Sequence, residues 1–311
     1  MLIRTKETSL YTSTVNWDSL QKQVYALAAG AKTVAELKPA FTALINGLRD
    51  HHAKILDAET YGVLAAFTDY KNVRSKDSRP RDTKIWTAVN DTSLKFEHRI
   101  LNGNTGYLKI VGIGPRVDVE AEAKKIRGVL TAMAEKKISN WILDLRYNGG
   151  GNMHPMMAGI APLLGNGLAG KLADLEKKTL FTWEIEKGNF IYAGYQALKL
   201  PNKPVFRKIQ KVAVLTSRWT VSSGEVVAAS FKGRPNSRFF GEATGGYTTN
   251  NGWEIIAGSV ILNISTGFFA DRNGNIFSEN IPVDEEVLFK LEKNIQKDEC
   301  VIKALKWLQK K

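Results

Sequence analysis

The segment Trp141-Ile-Leu-Asp-Leu145, continued by Arg-Tyr-Asn-Gly-Gly-Gly-Asn152, decides the fold prediction. Its apolar half is typical of a short buried strand, and the three glycines precede a helix predicted from Met153 to Leu164. Glycines there permit a sharp turn whose bare N–H groups lie beside the positive end of the helix. Such a turn either binds a phosphate or a developing oxyanion, or simply connects strand and helix. It fits neither the dinucleotide-binding fingerprint nor a P-loop.

Strands and helices alternate on both sides of this segment, from Gly106 to the C-terminus. The repeated strand–turn–helix order predicts an α/β core with parallel strands and right-handed crossovers. The predicted strands are Tyr107–Ile110, Trp141–Leu145, Thr179–Ile185, Asn189–Tyr195, Lys211–Ser217 and Arg238–Gly241, with a long hairpin at Glu254–Phe269. The predicted helices are Val119–Ala134, Met153–Leu164, Ser222–Phe231 and Asp298–Leu308.

The first hundred residues have a helical pattern instead. One helix is predicted over Trp17–Ala29, and a second follows a capping box formed by Thr33 and Glu36. This second helix should end near Asp50, which places His51 and His52 on the connection after it. Residues 71–93 are polar and predict a linker or an exposed hairpin. We therefore expect an N-terminal helical domain with linker over 1–100 and a catalytic-core domain over 101–311.

Composition narrows the class of protein. The chain has 311 residues, of which 43% are hydrophobic, and one cysteine, Cys300, so a disulfide framework and a multi-cysteine metal site are excluded. No apolar stretch approaches about 18 residues, so no transmembrane segment is expected. The net charge of +13 favours polyanions, but basic residues are spread along the chain. The clusters Lys71–Arg81 and Lys306–Lys311 are interpreted as solvated faces, and no nucleic-acid partner is predicted.

The segment Ser222-Ser-Gly-Glu225 opens the predicted helix that follows strand Lys211–Ser217. Ser222 and Glu225 have capping-box spacing, which is a structural device. The same position also suits a nucleophile, because the positive helix end and the N–H of Ser223 can stabilise an oxyanion. Two further segments carry polar side chains: the glycine-rich loop Gly241–Gly252 and the turn Ser278–Asp284, which contains Glu279.

These four segments, in their order along the chain, together resemble one peptidase family. It comprises the C-terminal processing (tail-specific) proteases, the tricorn core protease and the interphotoreceptor retinoid-binding protein. Asp144 to Gly151 matches the motif Asp-Leu-Arg-x-Asn-x-Gly-Gly, and Ser222 to Glu225 matches the nucleophile motif. Gly241 to Gly246 matches Gly-Glu-x-Thr-x-Gly, and Glu279 to Asp284 approximates the Glu-Asn tail. The resemblance covers roughly residues 100–290 and implies a crotonase/Clp-protease-like ββα core with an N-terminal helical cap.

The general base separates two branches of this family. In the bacterial tail-specific branch a lysine follows the Gly-Glu-x-Thr-x-Gly loop, but Tyr247 stands there, and no lysine occurs between Lys232 and Lys290. The tricorn-like branch carries a histidine in a motif like Asp-x-His after a helix. Asp50-His51-His52 matches it, with His52 at the histidine position. A serine precedes that histidine in the tricorn-like branch; here it is His51, and Ser278 is one candidate for the missing hydroxyl.

The resemblance implies a serine endopeptidase that hydrolyses unfolded proteins or peptides. Ser222 would be the nucleophile, His52 the general base and Glu279 the group that orients the imidazole. Backbone N–H groups of Gly149, Gly150 and Ser223 would form the oxyanion hole. No cofactor and no metal ion is expected, because the His-His pair lacks a motif such as His-Glu-x-x-His.

His154, just after the glycines, is a second candidate base, whereas His98 is interpreted as structural. The interval from His52 to Gly106 is too short for a PDZ domain by the usual sizes of domains. A catalytically inactive family member that binds peptides or apolar ligands is the alternative function. Family analogy predicts an extracytoplasmic location, periplasmic or secreted; the N-terminal residues lack the apolar core of a signal peptide, so a cytoplasmic protein is the alternative.

Overall fold

A computed structural model describes residues 1–68, 83–91, 93, 95–114, 116–196, 198–200 and 211–310. Outside the described residues lie the basic cluster Lys71–Arg81, most of the predicted linker 71–93, and Lys311. Eight α-helices and thirteen strands occur in the described part of the chain, and they are numbered in chain order. The helices are α1 Leu2–Thr8, α2 Trp17–Ala28, α3 Lys38–Leu48, α4 Thr83–Val89, α5 Val119–Glu135, α6 Met153–Leu164, α7 Ser223–Phe231 and α8 Glu299–Gln309. The strands are β1 Lys54–Asp57, β2 Val63–Ala66, β3 Glu97–Leu101, β4 Thr105–Lys109, β5 Asn140–Asp144, β6 Gly167–Ala173, β7 Thr179–Glu186, β8 Asn189–Tyr192, β9 Lys211–Thr216, β10 Ser237–Gly241, β11 Thr249–Ile256, β12 Val260–Asp271 and β13 Glu285–Glu286.

The chain forms two compact units that are not continuous in sequence. The N-terminal unit contains the described residues up to 68 together with 173–178 and 249–268, and the core unit contains the rest. The N-terminal unit is therefore not only helical, because strands β1 and β2 and the hairpin of β11 and β12 belong to it. The expected domain division at residue 100 stays a prediction.

The core unit is built on a six-stranded sheet in the order β13-β10-β9-β5-β4-β3. Its strands are parallel except for the β3–β4 pair, as the alternation of strands and helices predicted. Strands β5 and β9 lie in the middle of the sheet and are almost wholly buried. Central parallel strands are covered on both faces, which explains why they appear in the sequence as continuous apolar runs.

Each face of this sheet has its own apolar core. On one face, α5, α6 and α7 contribute to a large cluster that includes Trp141 and Leu143. On the other face, α8 contributes to a smaller cluster that includes Ile142 and Leu215. Alternate residues of β5 thus enter opposite cores, because successive side chains of a strand point to opposite faces. The mixed α/β fold expected from the sequence is confirmed.

In the N-terminal unit, helices α2 and α3 share one apolar cluster with the strands. Leu44 and Ile45 of α3 are fully buried together with Ile55 of β1 and Leu262 of β12. The strand order is β2-β1-β12, and β11 also pairs with β12. Strand β1 runs antiparallel to β12 with Lys54 opposite Asn263. This register brings the turn after α3 to the part of β12 that follows Asn263.

Among the described helices, none has the length and apolar character that crossing a bilayer requires.

Candidate active site

Ser222 lies at the N-terminal end of α7, immediately before its first residue. Its backbone has φ 54° and ψ −119°, a conformation that L-residues with a side chain rarely adopt. Backbone strain of this kind costs about 1–3 kcal/mol and persists only where the surroundings enforce it. Two contacts enforce it here: the Val221 N–H donates to the Asn148 carbonyl at 3.0 Å, and the Thr220 hydroxyl donates to the Leu145 carbonyl at 2.8 Å. The turn after β5 therefore holds the segment that leads into Ser222.

The glycine turn contacts Ser222 directly. A Cβ atom on Gly150 would lie 2.8 Å from the Ser222 Cβ and 3.0 Å from the Val221 carbonyl oxygen. Gly150 also has φ +92°, and Gly151, with φ +107°, would place a Cβ 2.0 Å from the Ile113 carbonyl oxygen. Only glycine fits such close backbone approaches at positive φ. Of the site residues predicted from the sequence, Ser222 and Gly150 are thus neighbours within the core unit.

The three predicted oxyanion donors differ in their surroundings. The Gly150 N–H donates to the Asn148 Oδ1 at 3.0 Å, so an intramolecular acceptor occupies it in this structure. Ser223 is the first residue of α7, where backbone N–H groups have no acceptor within the helix, and its hydroxyl donates to the Gly151 carbonyl. Gly149 precedes Gly150 in the same turn. The oxyanion role of all three residues stays a prediction.

Glu225 makes more hydrogen bonds than the capping-box spacing in the sequence predicts. The Ser222 N–H donates to its Oε2 at 2.9 Å, which is one half of the expected capping box. Its Oε1 also accepts from the Thr244 hydroxyl at 2.6 Å and from the Gly246 N–H at 2.9 Å. Glu225 thereby joins the nucleophile motif to the loop Gly241–Gly252.

This carboxylate is completely buried. Burial raises the pKa of Glu225 to about 7, although the hydrogen bonds from Thr244, Gly246 and Ser222 act in the opposite direction. Desolvation disfavours the charged form of a carboxyl, whereas donated hydrogen bonds favour it. The Glu225 carboxyl therefore changes between its protonated and ionised forms near neutral pH.

His52 belongs to the N-terminal unit, in the turn that follows α3. The helix ends at Leu48; the next residue, Arg49, has a left-handed backbone, and His52 lies before β1. Its side chain is buried, and its Nδ1 is 2.8 Å from the Thr249 Oγ1. Burial lowers the pKa of His52 to about 3; the charges of His51 and Lys54 lower it further, and a hydrogen bond with the Thr249 backbone opposes the shift. The imidazole is consequently neutral throughout the neutral pH range.

The remaining candidates lie in the core unit. Glu279 and Ser278 are exposed, and the Glu279 carbonyl oxygen would be 2.3 Å from a Cβ on Gly246. His154 is half-buried near Tyr192, with ring centroids 5.2 Å apart; its buried Nδ1 has no hydrogen-bond partner within the described residues. Burial lowers the pKa of His154. His98 is exposed on β3 and stacks on Phe96.

Within the described ranges, no group of three or more His, Cys, Asp or Glu side chains is arranged to hold a metal ion.

Comparison with known proteins connects this arrangement to one family. The chain is 25% identical over 314 residues to the nisin-resistance protein of Lactococcus lactis subsp. lactis, with 97% of this chain and 83% of that protein covered. A lipoprotein of Streptococcus agalactiae has a similar structure, with a TM-score of 0.71 and 24% identity over 99% of this chain and 93% of that one. The photosystem II D1 C-terminal processing protease shares the fold, with a TM-score of 0.60 and 13% identity over 92% of this chain and 91% of that one.

The model of the peptidase family S41 matches residues 104–287, which contain the glycine turn, Ser222 and Glu279. This range is more than half of the chain and carries the four motifs in which the sequence resembles the tail-specific proteases. The chain belongs to peptidase family S41.

Proposed function

We propose that this protein is a serine endopeptidase in which Ser222 attacks the peptide carbonyl and His52 accepts the Ser222 proton. The observation that carries the proposal is the strained backbone of Ser222 at the start of α7, held against Gly150. A serine hydroxyl is a weak nucleophile at its free pKa, so it requires a base and an environment that stabilises the oxyanion. The positive end of α7 and the adjacent N–H groups supply such an environment.

The chemistry follows the acyl-transfer pattern. As the Ser222 oxygen bonds to the peptide carbon, its proton passes to the neutral imidazole of His52, and the carbonyl oxygen becomes an oxyanion. N–H groups from Ser223 and Gly149, with Gly150 if its bond to Asn148 is released, would stabilise that charge; losing one such donor typically costs about 100–1,000-fold in rate. The proton then moves from His52 to the leaving amine, and water repeats the sequence on the acyl-enzyme.

Glu279 remains part of the proposal on the strength of the family resemblance. A carboxylate that orients the imidazole, directly or through a hydroxyl, stabilises the imidazolium formed during the reaction. The alternative, a family member that binds peptides or apolar ligands without cleaving them, would leave no reason for the strain at Ser222.

We also propose that the protein works outside the cytoplasm on peptides or unfolded proteins. The support is the similarity to a nisin-resistance protein and to a lipoprotein. Nisin is accordingly a sensible test substrate beside unfolded casein.

Two active-site variants with matched controls test the proposal. Hydrolysis of casein and of nisin should disappear in Ser222→Ala and fall at least about 1,000-fold in His52→Ala, because removing a member of the nucleophile–base pair removes most of the catalysis. The controls are Ser259→Ala in the exposed hairpin turn and His98→Ala on the exposed face of β3, which should retain wild-type rates. Wild-type cleavage by Ser222→Ala would contradict the proposal, and binding without cleavage by the folded wild type would support the alternative.

A further inference from the structure

Three hydroxyl and carboxyl groups of the N-terminal unit connect end to end behind the imidazole of His52. The His52 Nδ1 lies 2.8 Å from the Thr249 Oγ1, and the Thr249 Oγ1 lies 2.8 Å from the Ser265 Oγ. The Ser265 hydroxyl donates to the Asp50 Oδ1 at 2.9 Å. All four side chains are buried. We call this set of residues, Asp50, Ser265, Thr249 and His52, the imidazole relay.

The strands explain why residues so distant in sequence meet. Strand β1 pairs with β12 with Lys54 opposite Asn263, and continuing that register places His52 opposite Ser265. Strand β11 pairs with the other edge of β12, with Asn251 opposite Ser265 and an irregularity between Asn250 and Asn251. Thr249 thus approaches the same part of β12 from its opposite edge.

Asp50 is fixed as the end of the relay by its own hydrogen bonds. Its Oδ2 accepts the Ser265 N–H at 2.9 Å, and its Oδ1 accepts the His52 N–H at 3.1 Å. Buried carboxylates require such donors to offset the loss of water. Both donors come from the residues that the relay joins, so the backbone positions Asp50, Ser265 and His52 relative to one another.

A carboxylate at one end gives the relay a direction. The Ser265 hydroxyl donates its only proton to the Asp50 Oδ1, so it must accept the hydrogen bond from Thr249. The Thr249 hydroxyl then donates its proton to the Ser265 Oγ, so it must accept the hydrogen bond from the His52 Nδ1. The Nδ1 of His52 therefore carries the proton, and in the neutral imidazole the lone pair is left on Nε2.

We propose that Asp50, Ser265 and Thr249 are positioning residues that hold His52 in the Nδ1–H tautomer required of a general base acting through Nε2. The inference rests on the proposed function of His52 and adds three residues to it. It assigns to Asp50, two residues before the histidine, the orienting role that the family resemblance gave to Glu279, because the Nδ1 of His52 contacts Thr249 and its Nε2 is reserved for the serine proton. The hydroxyl that the tricorn-like pattern places just before the histidine is supplied by Thr249.

The tautomer can be measured without any catalysis. In Ser222→Ala protein labelled with ¹⁵N-histidine, the resonance lost in His52→Gln identifies His52 among the four histidines. We expect its nitrogen shifts to report a protonated Nδ1. Thr249→Val removes the hydroxyl with little change of shape, and the Nε2–H form should then become populated. Thr249→Ser restores the hydroxyl and should restore the Nδ1–H signature.

Kinetics in the active protein provide the second readout. Thr249→Val should lower kcat about 10–100-fold, the loss that follows when a metal-bound histidine loses its orienting partner, while KM changes less than about twofold. Thr249→Ser should stay within about threefold of wild type. The matched control is Thr248→Val, because Thr248 is the adjacent residue, is equally buried, and its hydroxyl has no hydrogen-bond partner within the described residues.

The outcomes separate the two proposals. If Ser222→Ala and His52→Ala keep wild-type activity, the proposed function fails regardless of the relay. If those variants are inactive but Thr249→Val keeps the Nδ1–H tautomer and wild-type kcat, the relay is contradicted and the proposed function stands. Equal losses in Thr249→Val and Thr248→Val would assign the effect to packing and would also overturn the relay.

Discussion

Gly150 lies against Ser222 so closely that a Cβ atom at position 150 would be 2.8 Å from the Ser222 Cβ. The turn after β5 and the start of α7 thus form one rigid feature, with two residues at positive φ in direct contact. This contact gives the glycine motif of the sequence a mechanical reason that does not depend on oxyanion binding.

Gly150→Ala should therefore impair catalysis rather than only stability. The added methyl group must push Ser222 away, and a displacement of about 1 Å at a reacting group can cost about 100-fold in rate. We expect kcat/KM for peptide hydrolysis to fall by that order. Gly103→Ala is the matched control, because Gly103 also has positive φ (+74°) but nothing within 4 Å of its Cβ position. Similar activity in both variants would refute the steric argument.

Glu225→Gln should reduce both stability and activity. Replacing Oε2 by an NH₂ group sets a donor against the Ser222 N–H, and an unsatisfied buried group costs about 1–3 kcal/mol. Chemical denaturation and casein hydrolysis measure the two effects. The exposed Glu186→Gln on β7 is the control and should behave as wild type. An unchanged unfolding free energy in Glu225→Gln would show that the hydrogen bonds from Ser222, Thr244 and Gly246 to Glu225 do not stabilise the fold.

The same residue predicts a change of stability with pH. The pKa of Glu225 is raised by burial from 4.5 to about 7 in the folded protein. The unfolded chain therefore releases this proton first, and its contribution to folding stability is complete below pH 4.5 and is lost as pH rises to about 7. The difference between wild type and Glu225→Gln in unfolding free energy should vary with pH in that window. A difference independent of pH would contradict the raised pKa.

His52 should set an acid limit of activity well below the ordinary histidine value. Its pKa is lowered by burial from 6.5 to about 3, and a general base must be deprotonated to act. Protonation of His52 should therefore cause no loss of kcat/KM from pH 7 down to about pH 5. The charged and titratable groups near this histidine are Asp50, His51 and Lys54. The measurement is kcat/KM against pH for the wild type and for Glu225→Gln. An acid limb near pH 6.5 in both proteins would contradict a buried neutral His52.

Arg146 should be essential to the stability of the core unit. Its guanidinium donates to Asp144 and Asp298, each at 2.7 Å, and all three side chains are buried. Arg146→Met leaves two buried carboxylates without their cation, a change that typically costs about 3–5 kcal/mol. Arg99→Met removes an exposed ion pair with Glu97 and should cost at most about 1 kcal/mol. Equal unfolding free energies for the two variants would refute this difference.

Much of the core unit was predictable from local pattern. Helix α6 matches its prediction residue for residue, and α5 and α7 differ by one residue at one end, because periodic apolar positions and good N-caps define them. Strands β1 and β2 were not predicted. They are four residues long, and such short segments carry too little alternation to be recognised.

The environment of His52 was only half predictable. The position of His52 just after a helix followed from the sequence, and the structure places it there. Its hydrogen-bond partner Thr249 did not, because that contact depends on how β1 and β11 pair with the two edges of β12. Glu225 was visible as a capping residue, but its bonds to Thr244 and Gly246 depend on a loop whose path the sequence pattern does not specify.

The measurement that tests the central claim most directly is site mapping of a fluorophosphonate label by mass spectrometry of the wild-type protein. A fluorophosphonate bonds to an activated serine oxygen with loss of fluoride, so it reports the nucleophile without requiring the natural substrate. We predict one modified residue, Ser222, with labelling abolished in His52→Ala. Labelling of a different serine, or a folded protein that remains unlabelled, would contradict the assignment of Ser222 as the nucleophile.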